Sequence, residues 1–271
     1  MNSKYDQIIL SHYDNVANKE KDEATSTMAN LFVRNAETTF IINMISEFMS
    51  QQKKNEVSKV LDVGCGNGYT IGKLRNIFPE LDFSGLEFND SLREIAKETL
   101  STSSIKVVEG DIRNKKTLEK FEVDILICQR VIINLLNVDD QKNALNNLLN
   151  IVNKGGLLIF IECFESGLDS LNKARQEFKL EAMSPAHHNL YLSDDFFDVS
   201  DLKEFDFSQK EFLSNHYFVS RALHQSFLEA SQQDFIRNSE FVTFFSQALP
   251  NSVGTYSPIK FLAFTKTTNN D

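Results

Sequence analysis

Apolar residues in this chain fall into two patterns that alternate from about residue 57 onward. The first is a short, mainly apolar run. Val60, Leu61 and Val63 make one, residues 81–88 a second that ends at Glu87, and residues 105–109 a third. Residues 123–128 and 157–163 are nearly pure apolar runs. Runs of this kind suit strands covered on both faces. The second pattern has helical spacing: Ile71, Leu74 and Ile77; residues 92–100; and Leu145, Leu148 and Leu149. Asn89-Asp90-Ser91 supplies the capping chemistry that starts a helix. Asn153-Lys154-Gly155-Gly156 is expected to end one as a glycine C-cap. Five buried strands alternating with helices predict a parallel, doubly wound α/β sheet.

The flanks are less regular. Residues 1–30 are polar, with the charged run 18–23 in the middle, and predict a partly helical segment able to fold over a site. From 31 to 49, Leu31, Phe32, Ile41, Ile42, Ile45, Phe48 and Met49 predict an amphipathic helix. After residue 163 the pattern predicts a helix over 168–181, a loop over 184–200, a strand over 205–213, a mostly helical stretch over 216–249 and a last strand over 259–265. The expectation is one domain over 1–271 with a seven-stranded, mostly parallel sheet and helices on both faces. An N-terminal helical lid covers 1–50, the ligand-binding core 55–165, and the remaining elements, with a helical insertion before the last strand, 166–271.

Composition narrows the function classes. The net charge of −10, with no basic cluster longer than pairs such as Lys53-Lys54 and Lys115-Lys116, argues against a nucleic-acid partner. The three cysteines, Cys65, Cys128 and Cys163, are widely spaced and form no C-x-x-C, so neither a disulfide framework nor a metal site is expected. They read as small, buried, reduced thiols. The polar start of the chain reads as no signal peptide, and no apolar run reaches the roughly 20 residues that span a membrane. A cytoplasmic protein without membrane contact is expected, with a homodimer left open.

In a doubly wound sheet, ligands sit at the carboxyl ends of the strands. The first strand runs into Gly64-Cys65-Gly66-Asn67-Gly68, whose spacing is neither the dinucleotide G-x-G-x-x-G nor the phosphate loop. Glycines there let backbone N–H groups approach a ligand, and the following helix points its positive end at it. Three acidic residues share that rim: Asp62 before the turn, Glu87 ending the second strand and Asp111 after the third.

Leu61-Asp62-Val63-Gly64-Cys65-Gly66-Asn67-Gly68, the strand end at Glu87, Gly110-Asp111-Ile112, Asp124-Ile125-Leu126-Ile127-Cys128-Gln129 and Lys154-Gly155-Gly156-Leu157-Leu158 resemble, in order, successive motifs of the class I S-adenosylmethionine (SAM)-dependent methyltransferases. The resemblance covers roughly residues 55–163 and implies a Rossmann-like fold and SAM as cofactor. Carried onto these positions, it implies that Glu87, with Phe88 beside it, takes the ribose hydroxyls, and that Asp111 takes the adenine amine with Ile112 behind the ring. Gly64, Cys65 and Gly66 then approach the methionine arm, and Asp62 and the backbone of Gln129 serve its ammonium. The outer segments 129–135, 188–191 and 256–260 resemble a narrower set, uncharacterised methyltransferases associated with bacterial surface-polysaccharide gene clusters. That implies a sugar or sugar-phosphate acceptor.

Methyl transfer needs positioning, plus a base when the acceptor is a hydroxyl. His187, His188 and His216 are candidates, His188 first. Arg130, just after the fourth strand, pairs either with an anionic acceptor or with a loop carboxylate; Tyr13 and Arg34 are lid candidates. Cys128-Gln129-Arg130-Val131 is not the Asn/Asp-Pro-Pro-Tyr/Phe type of amino-methylating nucleic-acid enzymes. The expected reaction is methyl transfer to a small-molecule or glycan hydroxyl. The alternatives are N-methylation of an amino sugar or metabolite, and SAM binding without catalysis.

Overall fold

The computed structural model describes residues 5–20, 28–52, 58–101, 104–205, 213–236, 238–250 and 254–267. Seven strands form one sheet: β1 (Lys59–Val63), β2 (Asp82–Glu87), β3 (Lys106–Glu109), β4 (Val123–Gln129), β5 (Val152–Cys163), β6 (Leu202–Glu204) and β7 (Ile259–Lys266). Their order is β3-β2-β1-β4-β5-β7-β6. β1 to β5 pair in parallel, while β7 runs antiparallel to β5 and β6 antiparallel to β7. The chain moves outward from β1 to β3, then returns to β4 on the other side of β1. That reversal opens a crevice at the carboxyl ends of β1 and β4.

The strands form where the apolar runs lie. Val60, Leu61, Val63, Ile125, Leu126, Ile127 and residues 157–161 are all fully buried, as a sheet covered on both sides requires. Two helices precede the sheet, α1 (Asp6–Glu20) and α2 (Leu31–Gln51). The Asn30 side chain caps α2 by accepting from the Val33 N–H. Its buried stripe, Phe40, Ile41, Met44, Ile45 and Phe48, joins the main core and packs toward β5 and β7. The crossovers of the core are α3 (Tyr69–Ile77), α4 (Asp90–Thr99), α5 (Lys115–Leu118) and α6 (Val138–Ile151). After β5 come α7 (Glu165–Glu177), then α8 (Leu213–Phe218), α9 (His224–Ala230) and α10 (Glu240–Ala248), which form the helical insertion between β6 and β7.

Two local expectations change. Gly155 and Gly156 do not cap α6. The helix ends at Val152, whose N–H donates to the Leu149 carbonyl, and the glycines lie inside β5. Gly155 has φ 73°, and the β4–β5 register shifts between Val123 and Ile125, so the pair absorbs a bulge. The strand expected over 205–213 is also displaced. β6 ends at Glu204, residues 206–212 lie outside the described residues, and Leu213 opens a helix. The three cysteines are free and buried, as expected. No helix among the described residues is long and apolar enough to cross a membrane.

Candidate functional site

The glycine turn is fixed by the strand beside it. The N–H groups of Gly64 and Cys65 both donate to the Leu86 carbonyl, at 2.7 and 3.1 Å, which ties the turn to the end of β2. Gly64 has φ 65°, and a Cβ there would stand 2.4 Å from Val131 Cγ2. The turn therefore admits no side chain at this position, both because of its left-handed backbone and because β4's loop packs against it.

Around the turn opens a cleft of about 1030 Å³, measured out to its mouth. Asp62, Gly64, Cys65, Gly66, Glu87, Phe88, Asp111, Ile112, Gln129 and Arg130 all line it. The structure thus gathers every cofactor-binding residue expected from the sequence around one space. Glu87 is 7% exposed and accepts from two backbone N–H groups, Gly66 at 2.8 Å and Asn89 at 2.8 Å. The Phe88 backbone N–H contributes as well, and a carboxylate's roughly four acceptor sites leave at least one for a ligand hydroxyl. Burial raises the Glu87 pKa, and those N–H bonds oppose the rise. Asp62 is 2% exposed, and its pKa is pushed up to about 8, first by burial and then by the Glu87 charge; Arg34 opposes this. A ligand ammonium would return Asp62 to its ionised form.

Asp111 is more committed than expected. Its carboxylate grips the Arg113 guanidinium, with Nε to Oδ1 at 3.0 Å and Nη2 to Oδ2 at 2.6 Å. Arg113 also reaches Asp6 Oδ1 of α1 at 2.8 Å. Any bond from Asp111 to a ligand amine uses its remaining lone pairs. The cleft is roofed by α1, which contributes Asp6, Ile9, Leu10 and Tyr13 to its lining. The roof is pinned at its far side by Asp14 Oδ1, which accepts from Asn89 Nδ2 at 2.8 Å and Ser91 Oγ at 2.9 Å.

Three charged residues escaped the sequence reading. Glu37, on the buried side of α2, forms an ion pair with Arg130, and its other oxygen accepts from Gln129 Nε2 at 3.3 Å. Arg130 is thus held by a carboxylate of the protein itself, on the roof side of the cleft. Its backbone has φ 54°, unusual for a side-chain-bearing residue, and its N–H donates to the Ile161 carbonyl at 2.7 Å. Glu162, buried at the end of β5, accepts from the N–H groups of Val131, Ile132 and Ile133 at 3.0, 3.0 and 3.3 Å. It fixes the loop that carries Arg130 and Asn134; burial raises its pKa to about 7. The third, Arg113, completes the roof contact. A charged residue within an otherwise apolar stripe or strand was the available signal for Glu37 and Glu162.

A second, smaller pocket of about 480 Å³ adjoins the cleft and shares Tyr13, Arg130 and Asn134 with it. His12, His188 and Asn189 complete its polar lining. Asn134 Oδ1, His188 Nδ1 and Asn189 Oδ1 are buried without a hydrogen-bond partner among the described residues. Unpartnered buried polar atoms are uncommon in folded proteins, and these three belong to residues that line this pocket. The pKa of His188 is lowered to about 4 by burial and by His12 and His187. His216 lies elsewhere: Nε2 meets Asn30 Nδ2 at 2.7 Å, Nδ1 meets Ser246 Oγ at 3.2 Å, and its ring stacks on Phe32. It lines neither the cleft nor the pocket that adjoins it.

Residues 60–156 match the family described as a methyltransferase domain. Among known proteins, a malonyl-[acyl-carrier protein] O-methyltransferase of Bacillus anthracis is 24% identical over 143 residues, 51% of this chain and 51% of that one. The chain spans between half and two thirds of the length of the first curated relatives it matches. Among solved structures, the N-methyltransferase NodS of Bradyrhizobium japonicum, in complex with S-adenosylhomocysteine, superposes with a TM-score of 0.56 at 14% identity, covering 96% of this chain and 98% of that one. The magnesium protoporphyrin IX methyltransferase of Synechocystis superposes with a TM-score of 0.54 at 9% identity, covering 97% and 96%. The fold is that of these enzymes.

Proposed function

We propose that this chain, which carries a methyltransferase domain over residues 60–156, binds SAM in the roofed cleft and transfers its methyl group to a hydroxyl of a small molecule or glycan seated in the adjoining pocket. The observation that carries the reading is the convergence of Asp62, the glycine turn, Glu87 and Asp111 on one space under α1. Asp62 offers a carboxylate to the ammonium of the methionine arm. Glu87 offers its remaining acceptor capacity to the ribose hydroxyls, and Asp111 with Ile112 bounds the adenine end.

The reaction asks little covalent work of the protein. A lone pair of the acceptor oxygen attacks the sulfonium methyl carbon, the C–O bond forms as the C–S bond breaks, and sulfur keeps the electron pair. The hydroxyl proton leaves to water. Positioning supplies most of the rate. The acceptor reading rests on the second pocket. Its one cation, Arg130, is neutralised by Glu37, and its other polar groups are neutral: Tyr13, Asn134, Asn189 and two imidazoles. A neutral, hydroxyl-rich acceptor suits that lining better than a carboxylate or phosphate. His188, with its proton affinity lowered, orients the hydroxyl by accepting its hydrogen bond and is a weak base as it stands. Residues 1–50 then act as the lid, 55–165 as the cofactor core and 166–271 as the acceptor side of one working unit.

Calorimetry with SAM tests the cofactor half. Wild type should bind, and Glu87→Ala should lose about 1.5–3 kcal/mol per charge-assisted hydrogen bond removed. Absence of binding by wild type at high micromolar SAM overturns the reading. For the acceptor half, methyl transfer from labelled SAM onto neutral sugars, with carboxylate acceptors compared in parallel, should favour the neutral ones.

A further inference from the structure

His12 of α1 and the pair His187-His188 are separated by most of the chain, yet the fold brings them together. The rings of His12 and His188 stack with centroids 3.7 Å apart, and the His187 ring lies 5.1 Å from His188 and 6.1 Å from His12. One ring nitrogen from each lies within 4.8 Å of the other two. The cluster forms one wall of the acceptor-side pocket, through His12 and His188. The spacing of the cysteines gave no hint of it, because one ligand comes from the lid and two from the loop after α7.

We propose that His12, His187 and His188 bind a divalent transition-metal cation that latches α1 to the loop after α7. This rests on reading the cleft under α1 as the SAM site. The donor set selects the class of ion. It is three imidazoles with no carboxylate or thiolate, which suits zinc and its neighbours in the first transition row and does not suit magnesium or calcium. Zinc–nitrogen bonds of about 2.0–2.1 Å place the ligand nitrogens about 3.3 Å apart. The His12 and His188 rings are stacked at 20° between planes, so ligation requires one of them to turn out of the stack; His187 is exposed and His12 and His188 are half-buried. His188 Nδ1 is buried without a hydrogen-bond partner among the described residues, which leaves a lone pair or a proton there to be accounted for.

A bound ion would tie α1 to the loop that carries His187 and His188, and the imidazoles would ligate it in their neutral form.

The test uses the full chain stripped with chelator and titrated with cobalt(II), then with zinc. One ion should bind per chain, cobalt should give the visible absorption of a four- or five-coordinate nitrogen site, and millimolar magnesium should not displace it. His12→Ala, His187→Ala and His188→Ala should each weaken cobalt binding at least about tenfold. Because His187 is exposed, His187→Ala tests the site without threatening the fold, and unchanged SAM affinity in each variant shows that the cleft survives. Zinc should also slow SAM release, because it ties down the roof over the cofactor. Wild-type protein that binds SAM but takes up no cobalt or zinc overturns the metal inference and leaves the cofactor reading intact. Protein that takes up cobalt but no SAM overturns the cofactor reading alone. Cobalt binding unaffected by all three substitutions places the ion elsewhere and also overturns the inference.

Discussion

Arg130 and Glu37 form an ion pair between the loop after β4 and α2, with the Glu37 side chain fully buried. Removing one partner strands the other charge in the interior. Glu37→Ala should destabilise the protein by about 3–5 kcal/mol, measured by chemical denaturation. Glu37→Ala combined with Arg130→Met should recover a large part of that loss. If the single and double variants are equally unstable, the pair is not what Glu37 contributes.

Asp62 carries a prediction about pH. Its folded pKa of about 8 lies above the unfolded value of about 3.9, so its neutral form favours folding. That contribution is complete below about pH 4 and is eroded as pH rises, until it is spent above the folded pKa. Asp62→Asn should therefore be as stable as wild type at low pH and more stable by a few kcal/mol near pH 9 in thermal melts without ligand. The same variant should bind SAM more weakly. Parallel stability curves across that range would contradict the assignment.

Binding of SAM at neutral pH should release a proton. The ligand ammonium lowers the Asp62 pKa, so the carboxyl ionises as the complex forms. Calorimetry at pH 7 in buffers of different ionisation enthalpy should show proton release from wild type and none from Asp62→Asn.

The Asp14 carboxylate holds the roof to Asn89 and Ser91. Replacing it by Ala removes two hydrogen bonds at a partly exposed site, a loss of about 1 kcal/mol. SAM release, followed by stopped-flow displacement, should quicken by about fivefold, with the melting temperature nearly unchanged. An unaltered release rate would mean that α1 is not the barrier.

Gly64→Ala sets a left-handed backbone and a 2.4 Å approach to Val131 Cγ2 against the turn. The expected result is loss of SAM binding with a measurable loss of stability. Val131→Ala should rescue only the steric part, so the double variant remains weaker than wild type.

What was legible in the sequence is what is local. The glycine turn, Glu87 and Asp111 lie within a few residues of the strand ends that display them, and the apolar runs mark those strands directly. The last strand and the helical insertion before it were legible in outline, but not that the strand runs antiparallel to β5. What was not legible depends on distance along the chain. Glu37 meets Arg130 across 93 positions, and Arg113 meets Asp6 across 107. His12 reaches His188 only because α1 folds over the sheet. A glycine pair after a helix reads as a cap, and only the register of β4 against β5 reveals that it absorbs a bulge. Buried charges such as Glu37 and Glu162 declare their purpose only through the partners they meet.

The helix α1 lines both the cleft and the smaller pocket beside it, and Tyr13 belongs to both. Two doors thus hang on one hinge. If S-adenosylhomocysteine and a methylated acceptor leave from these two spaces, as the proposed function has it, one movement of α1 releases both, so slow movement of α1 would show itself as mutual product inhibition, and any partner that props α1 open would speed the exchange of both at once.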